Sequence, residues 1–228
     1  GSAATFVING NNMYVGGGLS TGVNTTISGT TNIILNGTGT ISTASSSGNY
    51  RNNIEINTAG TITISGTFRY SVGIFKYTTA GSIVATGSAF TIIGSATLDT
   101  AGMTFVNITT TGAPTLTINS TLSASGTFLI SATTGNISFL GTAGFSVDTF
   151  SCTVTVARTL TFKAGVTYTV TGSLVLKGVS TSTRLSLVSS TPTTAYYITL
   201  NTGATCAVMF VSSTDVDSSG GRLVTNVK

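Results

Sequence analysis

The chain has 228 residues, a length that suits one all-β domain and does not demand two. Charged residues make up only 6% of it, far below the roughly 25% of ordinary globular domains, and the formal net charge is +4. Hydrophobic residues reach 40% and recur regularly, which excludes an intrinsically disordered chain. No apolar run reaches the roughly 18 residues of a transmembrane helix, so we expect no membrane insertion.

Residues 3–53 are predicted to be an irregular N-terminal entry or cap region. A strand over ATFVING precedes a loop-rich segment, in which Gly16, Gly17 and Gly18 would break any regular element. Two short strands are predicted near residues 33–35 and 40–41. The segment 45–53, SSSGNYRNN, is the most polar of the chain and is predicted to be a protruding loop.

From residue 54 to residue 228 the chain is predicted to form regular coils. Short segments of alternating apolar and polar residues follow one another at steady intervals, which is typical of half-buried strands. Gly, Asn, Ser and Thr occupy almost every junction, as turns require. No segment has a useful length of helical periodicity, so the fold class is all-β.

The segment 159–178, TLTFKAGVTYTVTGSLVLKG, shows the pattern most clearly. It predicts three consecutive strands, separated by turns at residues 163–165 and 171–173. Thr, Ser and Lys fill the outward positions. The side chains predicted to point inward are Leu160, Phe162, Val166, Tyr168, Val170, Leu174 and Leu176.

The repeated three-strand unit favours a parallel β-solenoid over a hairpin fold. Tight hairpins need Asn-Gly or Asp-Gly turns, and only Asn9-Gly10 and Asn36-Gly37 occur. Three short strands per turn of about 22 to 25 residues describe a solenoid, in which each coil buries its apolar side by stacking on its neighbours. We expect one domain over residues 1–228 with roughly eight three-strand coils; an antiparallel β-sandwich or barrel is the alternative.

Three motifs near the C-terminus extend this interpretation. They are F-x-A-G-x-T-Y-x-x-x-G at 162–172, L-x-L-x-S-S at 185–190 and D-x-D-x-S-G-G at 215–221. Their order resembles the C-terminal coils of right-handed parallel β-helix modules in phage tail fibres, tailspikes and bacterial surface adhesins. The resemblance implies a right-handed coil, a virion or cell-surface location, and other virion or surface proteins as partners.

Catalytic and metal-binding chemistry is poorly represented in this sequence. Without histidine there is no Ser-His-Asp triad and no histidine metal site, and two cysteines are too few for a structural zinc site. Asp215 and Asp217 are the only close carboxylates; they would share one face of a strand, as a glycosidase pair could. A turn before SSGG is the preferred interpretation, so we predict no catalytic residue, no metal and no cofactor.

Cys152 and Cys206 both lie in apolar alternating segments. Free thiols that pack as small hydrophobic side chains are the preferred interpretation, and a disulfide requires neighbouring strands with suitable spacing. The sequence leaves that choice open.

Two binding functions are disfavoured by the spacing of the residues they need. Nucleic-acid binding requires clustered basic residues, whereas the nine here are scattered. Ice binding requires a regular ladder of Thr-x-Thr pairs. The pairs here, at Thr61, Thr115, Thr153, Thr159 and Thr167, are irregularly spaced, and outward β-branched residues are common in strands.

The polar segment around residue 50 is the candidate ligand site. An exposed Tyr50 beside Arg51 could stack on a sugar ring, and the neighbouring amides could bind its hydroxyl groups. We therefore predict contact with a cell-surface glycan through Asn49, Tyr50, Arg51, Asn52 and Asn53.

Together these features predict a non-enzymatic structural or receptor-binding fibre protein, a phage tail-fibre or tailspike component that contacts a host cell. A secreted bacterial surface adhesin is the alternative; a polysaccharide-degrading β-helix enzyme and an ice-binding protein are more remote. Because an uncapped solenoid exposes an unpaired strand edge, we expect a homo-oligomer, with a trimer favoured, or a capping partner.

Overall fold

The computed structural model describes residues 4–22, 24–43, 48–78, 82–84, 89–100, 103–131 and 135–220. These residues form 27 short strands and contain no helix. The first thirteen strands are β1 (Ala4–Val7), β2 (Met13–Val15), β3 (Leu19–Thr21), β4 (Thr25–Ser28), β5 (Ile33–Leu35), β6 (Gly39–Thr43), β7 (Asn49–Arg51), β8 (Ile54–Ile56), β9 (Thr61–Ile64), β10 (Thr67–Tyr70), β11 (Gly73–Tyr77), β12 (Ser82–Val84) and β13 (Ala89–Ile92).

The remaining fourteen strands include the three longest, of 9, 9 and 11 residues. They are β14 (Ala96–Asp99), β15 (Thr104–Phe105), β16 (Asn107–Thr110), β17 (Thr115–Ile118), β18 (Leu122–Ile130), β19 (Ile137–Gly141), β20 (Phe145–Thr153), β21 (Arg158–Phe162), β22 (Thr167–Lys177), β23 (Leu185–Ser189), β24 (Tyr196–Leu200), β25 (Thr205–Met209), β26 (Val211–Ser213) and β27 (Val216–Asp217).

The strands stack into three parallel sheets, and successive turns of the chain add one level at a time. The second sheet has ten strands in the order β2-β5-β8-β11-β14-β17-β19-β21-β23-β26, and eight of them have neighbours on both sides. This confirms a parallel β-solenoid of about eight turns and excludes the antiparallel alternative. In the second sheet one turn takes between 20 residues, from Leu98 to Ile118, and 27 residues, from Leu160 to Leu187.

The cross-section of the solenoid changes along the stack. In the first four turns the third side is a separate four-stranded sheet, β3-β6-β9-β12. In the later turns the strands of the third side belong to the first sheet. There, each of the long strands β18, β20 and β22 runs from the last side of one turn into the first side of the next. The register shifts inside these ladders, as between Val147 and Thr149 in β20, let the long strands bend without a loop.

The predicted turn at residues 171–173 is therefore wrong, because these residues continue β22 across a bulge. A Cβ atom at Gly172 would lie 2.2 Å from Oδ1 of the exposed Asp148, so a larger residue there requires the Asp148 side chain to move. The inward side chains of this segment are placed as predicted. Leu160, Phe162, Tyr168, Val170, Leu174 and Leu176 are all buried, whereas Val166 is only half-buried.

The predicted irregular entry region, residues 3–53, is in fact regular over the residues described. Strands β1 to β6 pair in register with those of the following turn, as in Phe6 with Ile27 and Leu19 with Ile41. The sequence obscured this because the strands have only three to five residues. Too few alternations remain in each strand to reveal the period.

The core is built from columns of inward side chains that run along the stack. In the first sheet, one column is continued by the residue at the matching position of each turn: Phe68, Phe90, Ile108, Phe128, Phe150, Leu174 and Cys206. Consecutive rings touch, with centroids 5.4 Å apart for Phe68 and Phe90. A single turn has no apolar partner of its own, so its side chains are buried only by the turns above and below.

Side-chain oxygens at the turns support this stacking by binding the backbone of the next turn. Each accepts a backbone N–H about one turn further along the chain, which satisfies a donor that the parallel ladder leaves unpaired. These contacts are Asn9 with Thr30 (3.2 Å), Asn53 with Ile74 (2.9 Å), Asn107 with Thr127 (2.9 Å) and Asn136 with Thr159 (2.9 Å).

Replacing Phe139 by alanine is expected to destabilise the protein by about 3–5 kcal/mol. This ring is fully buried and contacts five others, including Phe162 at 5.2 Å and Phe145 at 5.7 Å. Urea denaturation followed by circular dichroism measures the effect. The matched control is Leu129→Ala, which removes a large apolar side chain that is 37% exposed and is expected to cost less than about 1 kcal/mol. Equal losses for the two variants would contradict the assignment of the core.

Cys152 is expected to resist alkylation by iodoacetamide at pH 8 in the folded protein and to react once urea unfolds it. Burial raises the pKa of its thiol to about 12, although Arg158 acts in the opposite direction, and the thiolate is the reactive form. The thiol ionises more easily in the unfolded chain, so raising the pH from about 9 to about 12 favours unfolding. Peptide mapping by mass spectrometry resolves Cys152 from Cys206, and rapid labelling of Cys152 in the native state would contradict its burial.

Candidate functional site

The predicted ligand loop at Asn49 to Asn53 is a strand and a corner of the solenoid. Residues 49–51 form β7, which pairs with β4 on one side and with β10 on the other. The prediction of a protruding loop over residues 45–53 is therefore wrong for residues 48–53, and residues 45–47 lie outside the described part of the chain. The polar composition that suggested it arises because β7 contributes only one side chain to the core.

That side chain is Tyr50, which is fully buried. Its ring lies 5.4 Å from the ring of Phe68, and its hydroxyl group points to the carbonyl oxygens of Ser42 (2.9 Å) and Leu19 (3.1 Å). Burial raises the pKa of Tyr50 well above its usual range. Tyr50 is thus a core residue, and the expectation that it is exposed for stacking on a sugar is wrong.

Asn52 and Asn53 hold the corner that follows β7. The amide group of the buried Asn52 donates to the carbonyl oxygen of Thr31 (3.1 Å), and the backbone carbonyl of Asn52 accepts from the hydroxyl of Tyr70 (2.9 Å). Asn53 donates to the side-chain oxygen of Asn32 (2.9 Å) and accepts the backbone N–H of Ile74. Both side chains therefore connect successive turns.

Asn49 and Arg51 remain on the outer surface of the first sheet, where the structure adds Arg69. They flank the inward Tyr50, and Arg69 flanks the inward Tyr70. Pairing of Tyr50 with Tyr70 places Asn49 beside Arg69. We call these three residues, Asn49, Arg51 and Arg69, the arginine patch.

The sequence could not link Arg69 to the other two residues of the arginine patch. The alternation in TFRY puts Arg69 at a polar position between Phe68 and Tyr70, which correctly indicates that it faces outward. Its neighbour across the ladder depends on the register, and the length of a turn varies from one level to the next.

Two polar atoms in the arginine patch lack hydrogen-bond partners among the residues that the structure describes. The side-chain oxygen of Asn49 and the Nε of Arg69 are both shielded from solvent and form no hydrogen bond. Arg51 is exposed and Arg69 is half-buried. Burial lowers the pKa of Arg69, because the charged guanidinium has lost part of its hydration.

A second group of charged residues differs from the arginine patch, because it contains both a cation and anions. On the outer face of the second sheet, Lys76 lies between Glu55 and Asp99 in adjacent strands. Glu55 also accepts a hydrogen bond from the hydroxyl of Thr78 at 2.7 Å. In that group a cation has carboxylates on both sides, whereas the residues beside the arginine patch are neutral.

Asp215 lies in a bend and Asp217 is the last residue of β27, so the predicted turn holds for Asp215 but not for Asp217. Asp215 has a left-handed backbone with φ of 58°, and it precedes the short strand β27. Asp217 accepts the backbone N–H of Ser219 at 2.8 Å, and this interaction lowers the pKa of its carboxyl group. The two carboxylates thus do not form a pair on one face of a strand.

Cys152 and Cys206 are not joined, because their strands lie on opposite edges of β22. Cys152 is opposite Leu176, and Cys206 is opposite Leu174. Two strand spacings amount to about 9.6 Å, which exceeds the reach of a disulfide. Cys152 is buried and Cys206 is half-buried.

The Thr-x-Thr pairs lie on three different sheets and make no single ladder. The pair at Thr61 is in β9 of the third sheet, those at Thr115 and Thr159 are in the second sheet, and that at Thr167 is in the first. Neighbouring positions of the second sheet carry Leu140 and Val188.

Searches of family models, curated proteins and solved structures find no match for the chain. No group of three or more His, Cys, Asp or Glu side chains that could hold a metal ion occurs among the described residues. Within the same residues, no helix has the length and apolar character needed to cross a bilayer.

Tyr50→Phe is expected to lower the free energy of unfolding by about 1–2 kcal/mol, because it removes a hydroxyl that lies within hydrogen-bond distance of the carbonyl oxygens of Leu19 and Ser42. Urea denaturation measures the loss. Tyr14→Phe is the matched control, since this hydroxyl is on a side chain that is 64% exposed and should contribute almost nothing. An unchanged stability of Tyr50→Phe would show that the Tyr50 hydroxyl is not a buried donor.

Proposed function

We propose that the chain is a non-enzymatic structural and receptor-binding fibre protein, part of a phage tail fibre or tailspike that contacts a host cell surface. The observation that carries this proposal is the filled interior of the solenoid. Aromatic and aliphatic columns occupy it from Tyr50 to Tyr196, so binding must take place on the outside.

The chemistry of the outer surface supports a binding role over a catalytic one. Stacked columns of small polar side chains cover much of the second sheet, as in Thr115, Ser138 and Thr161. The two acids that could have served a glycosidase do not share a strand face, because Asp215 has a left-handed backbone before β27 and Asp217 accepts the backbone N–H of Ser219. A rigid rod with polar walls can present many weak contacts to a glycan-covered surface.

The exposed first turn supports the proposal of a homo-oligomer, with a trimer favoured, or of another virion or surface protein as partner. All four residues of β1 are exposed, and β1 pairs only with β4 among the described strands. Phe6 continues the inward column of Ile27 and Tyr50, yet 60% of its side chain is exposed. Such an edge is a site for pairing with another chain.

A secreted bacterial adhesin is the second candidate, with a cell-surface instead of a virion location. It shares the architecture and the resemblance carried by residues 162–221. A trimer would favour the fibre, since intertwined or bundled trimers suit a rod that must resist force along its axis.

Sedimentation equilibrium and binding to bacterial surface polymers test the proposal. We expect a mass of about three times the 22.9 kDa of one chain. We also expect binding to at least one member of a panel of purified lipopolysaccharides and capsular polysaccharides, without release of new reducing ends. Cleavage of any polymer in the panel, or a monomer that binds none of them, would contradict the proposed function.

A further inference from the structure

The arginine patch is an unneutralised cationic site on an otherwise nearly uncharged wall. Sheet geometry places the Cα atoms of Arg51 and Arg69 about 8 Å apart, one strand over and two residues along. Their side chains leave the sheet on the same side, because Tyr50 and Tyr70 point inward from the same two strands.

Neutral side chains surround both guanidinium groups. Thr91 follows Arg69 in the next strand, and Ser28 precedes Arg51 in the previous one. Glu55 is the acidic residue nearest to Arg51 in sequence, but it lies on the second sheet beside Lys76. The pattern differs from that of Lys76, which has an acidic residue opposite it in each of the two adjacent strands.

Partial burial makes the missing counter-charge of Arg69 costly. A cation that has lost water and has gained no anion destabilises its surroundings, and the Nε–H of Arg69 also lacks an acceptor. A carboxylate or a similar anion can bind a guanidinium end-on, through its two terminal nitrogens. Because the Nε of Arg69 is shielded from solvent, an external anion would supply the missing counter-charge through the terminal nitrogens.

We propose that the arginine patch binds the anionic groups of an acidic surface polysaccharide. The inference deepens the proposed receptor-binding function and rests on it. Arg69 takes one anionic group through its terminal nitrogens, Arg51 takes a second anionic group of the same polymer, and the hydroxyls of Thr26, Ser28 and Thr67 border the contact. Recognition is by charge and hydrogen bonds, with no aromatic stacking.

The test compares Arg51→Gln and Arg69→Gln with Arg184→Gln, an exposed arginine outside the patch that removes the same charge. Binding is measured by biolayer interferometry to immobilised polygalacturonate, dextran sulfate, neutral dextran and double-stranded DNA. Circular dichroism and urea denaturation confirm that the variants are folded. Arg51 is fully outward, so Arg51→Gln keeps the test valid if Arg69→Gln fails to fold.

We expect each patch variant to weaken binding to an acidic polysaccharide by about tenfold, with Arg184→Gln unchanged and with no binding to neutral dextran. Preference for polygalacturonate would assign the anion as a carboxylate, and preference for dextran sulfate as a sulfate or phosphate. Equal weakening in all three variants, tighter binding to DNA than to either polysaccharide, or no binding to either acidic polymer would overturn the inference.

The polymer panel used for the proposed function distinguishes failure of the arginine-patch inference from failure of the receptor-binding function. If the protein binds a lipopolysaccharide or a neutral capsule but the patch variants bind it equally well, the arginine patch is not the contact and the receptor-binding role stands. If no polymer binds, both the inference and the function that it rests on fail.

Discussion

Stacking of each turn on its neighbours is the constraint on which the rest of this structure depends. Three short strands enclose too little space to form a core, so residues such as Phe90 are buried only because Phe68 precedes them by one turn. The requirement fixes the register of the strands and makes the side chain at each inward position part of a column.

The same constraint determines where function can reside. Because the interior is a continuous column of apolar side chains and the corners are held by amides such as Asn53, only outward strand positions are available for a ligand. A binding site on such a wall is assembled across turns, from residues about 20 apart in the chain, as Asn49 and Arg69 are. The arginine patch follows from this geometry.

The period-2 alternation was sufficient to predict the strands, the solenoid and the inward residues of segments such as 159–178. The register between adjacent strands could not be predicted, because turns differ in length and each difference changes which residues lie opposite each other. The prediction that Tyr50 is exposed was wrong for a related reason. The strand has three residues, Asn49, Tyr50 and Arg51, and a single apolar side chain between two polar ones gives no detectable alternation. The predicted turn at Gly172 was wrong because a glycine at a bulge cannot be told from a glycine in a turn by sequence alone.

Cross-linking across one turn tests the stacked parallel register most directly. Ser138 and Thr161 lie opposite each other in adjacent strands, with Cα atoms about 4.8 Å apart. The double variant Ser138→Cys/Thr161→Cys therefore has a Cα–Cα distance within the range of a disulfide. Val188 lies one turn beyond Thr161, and Ser138→Cys with Val188→Cys is the matched control. Mild oxidation followed by non-reducing peptide mapping should show a cross-link between positions 138 and 161 and none between 138 and 188. Absence of the first cross-link in the folded protein, or equal formation of both, would contradict the parallel stack.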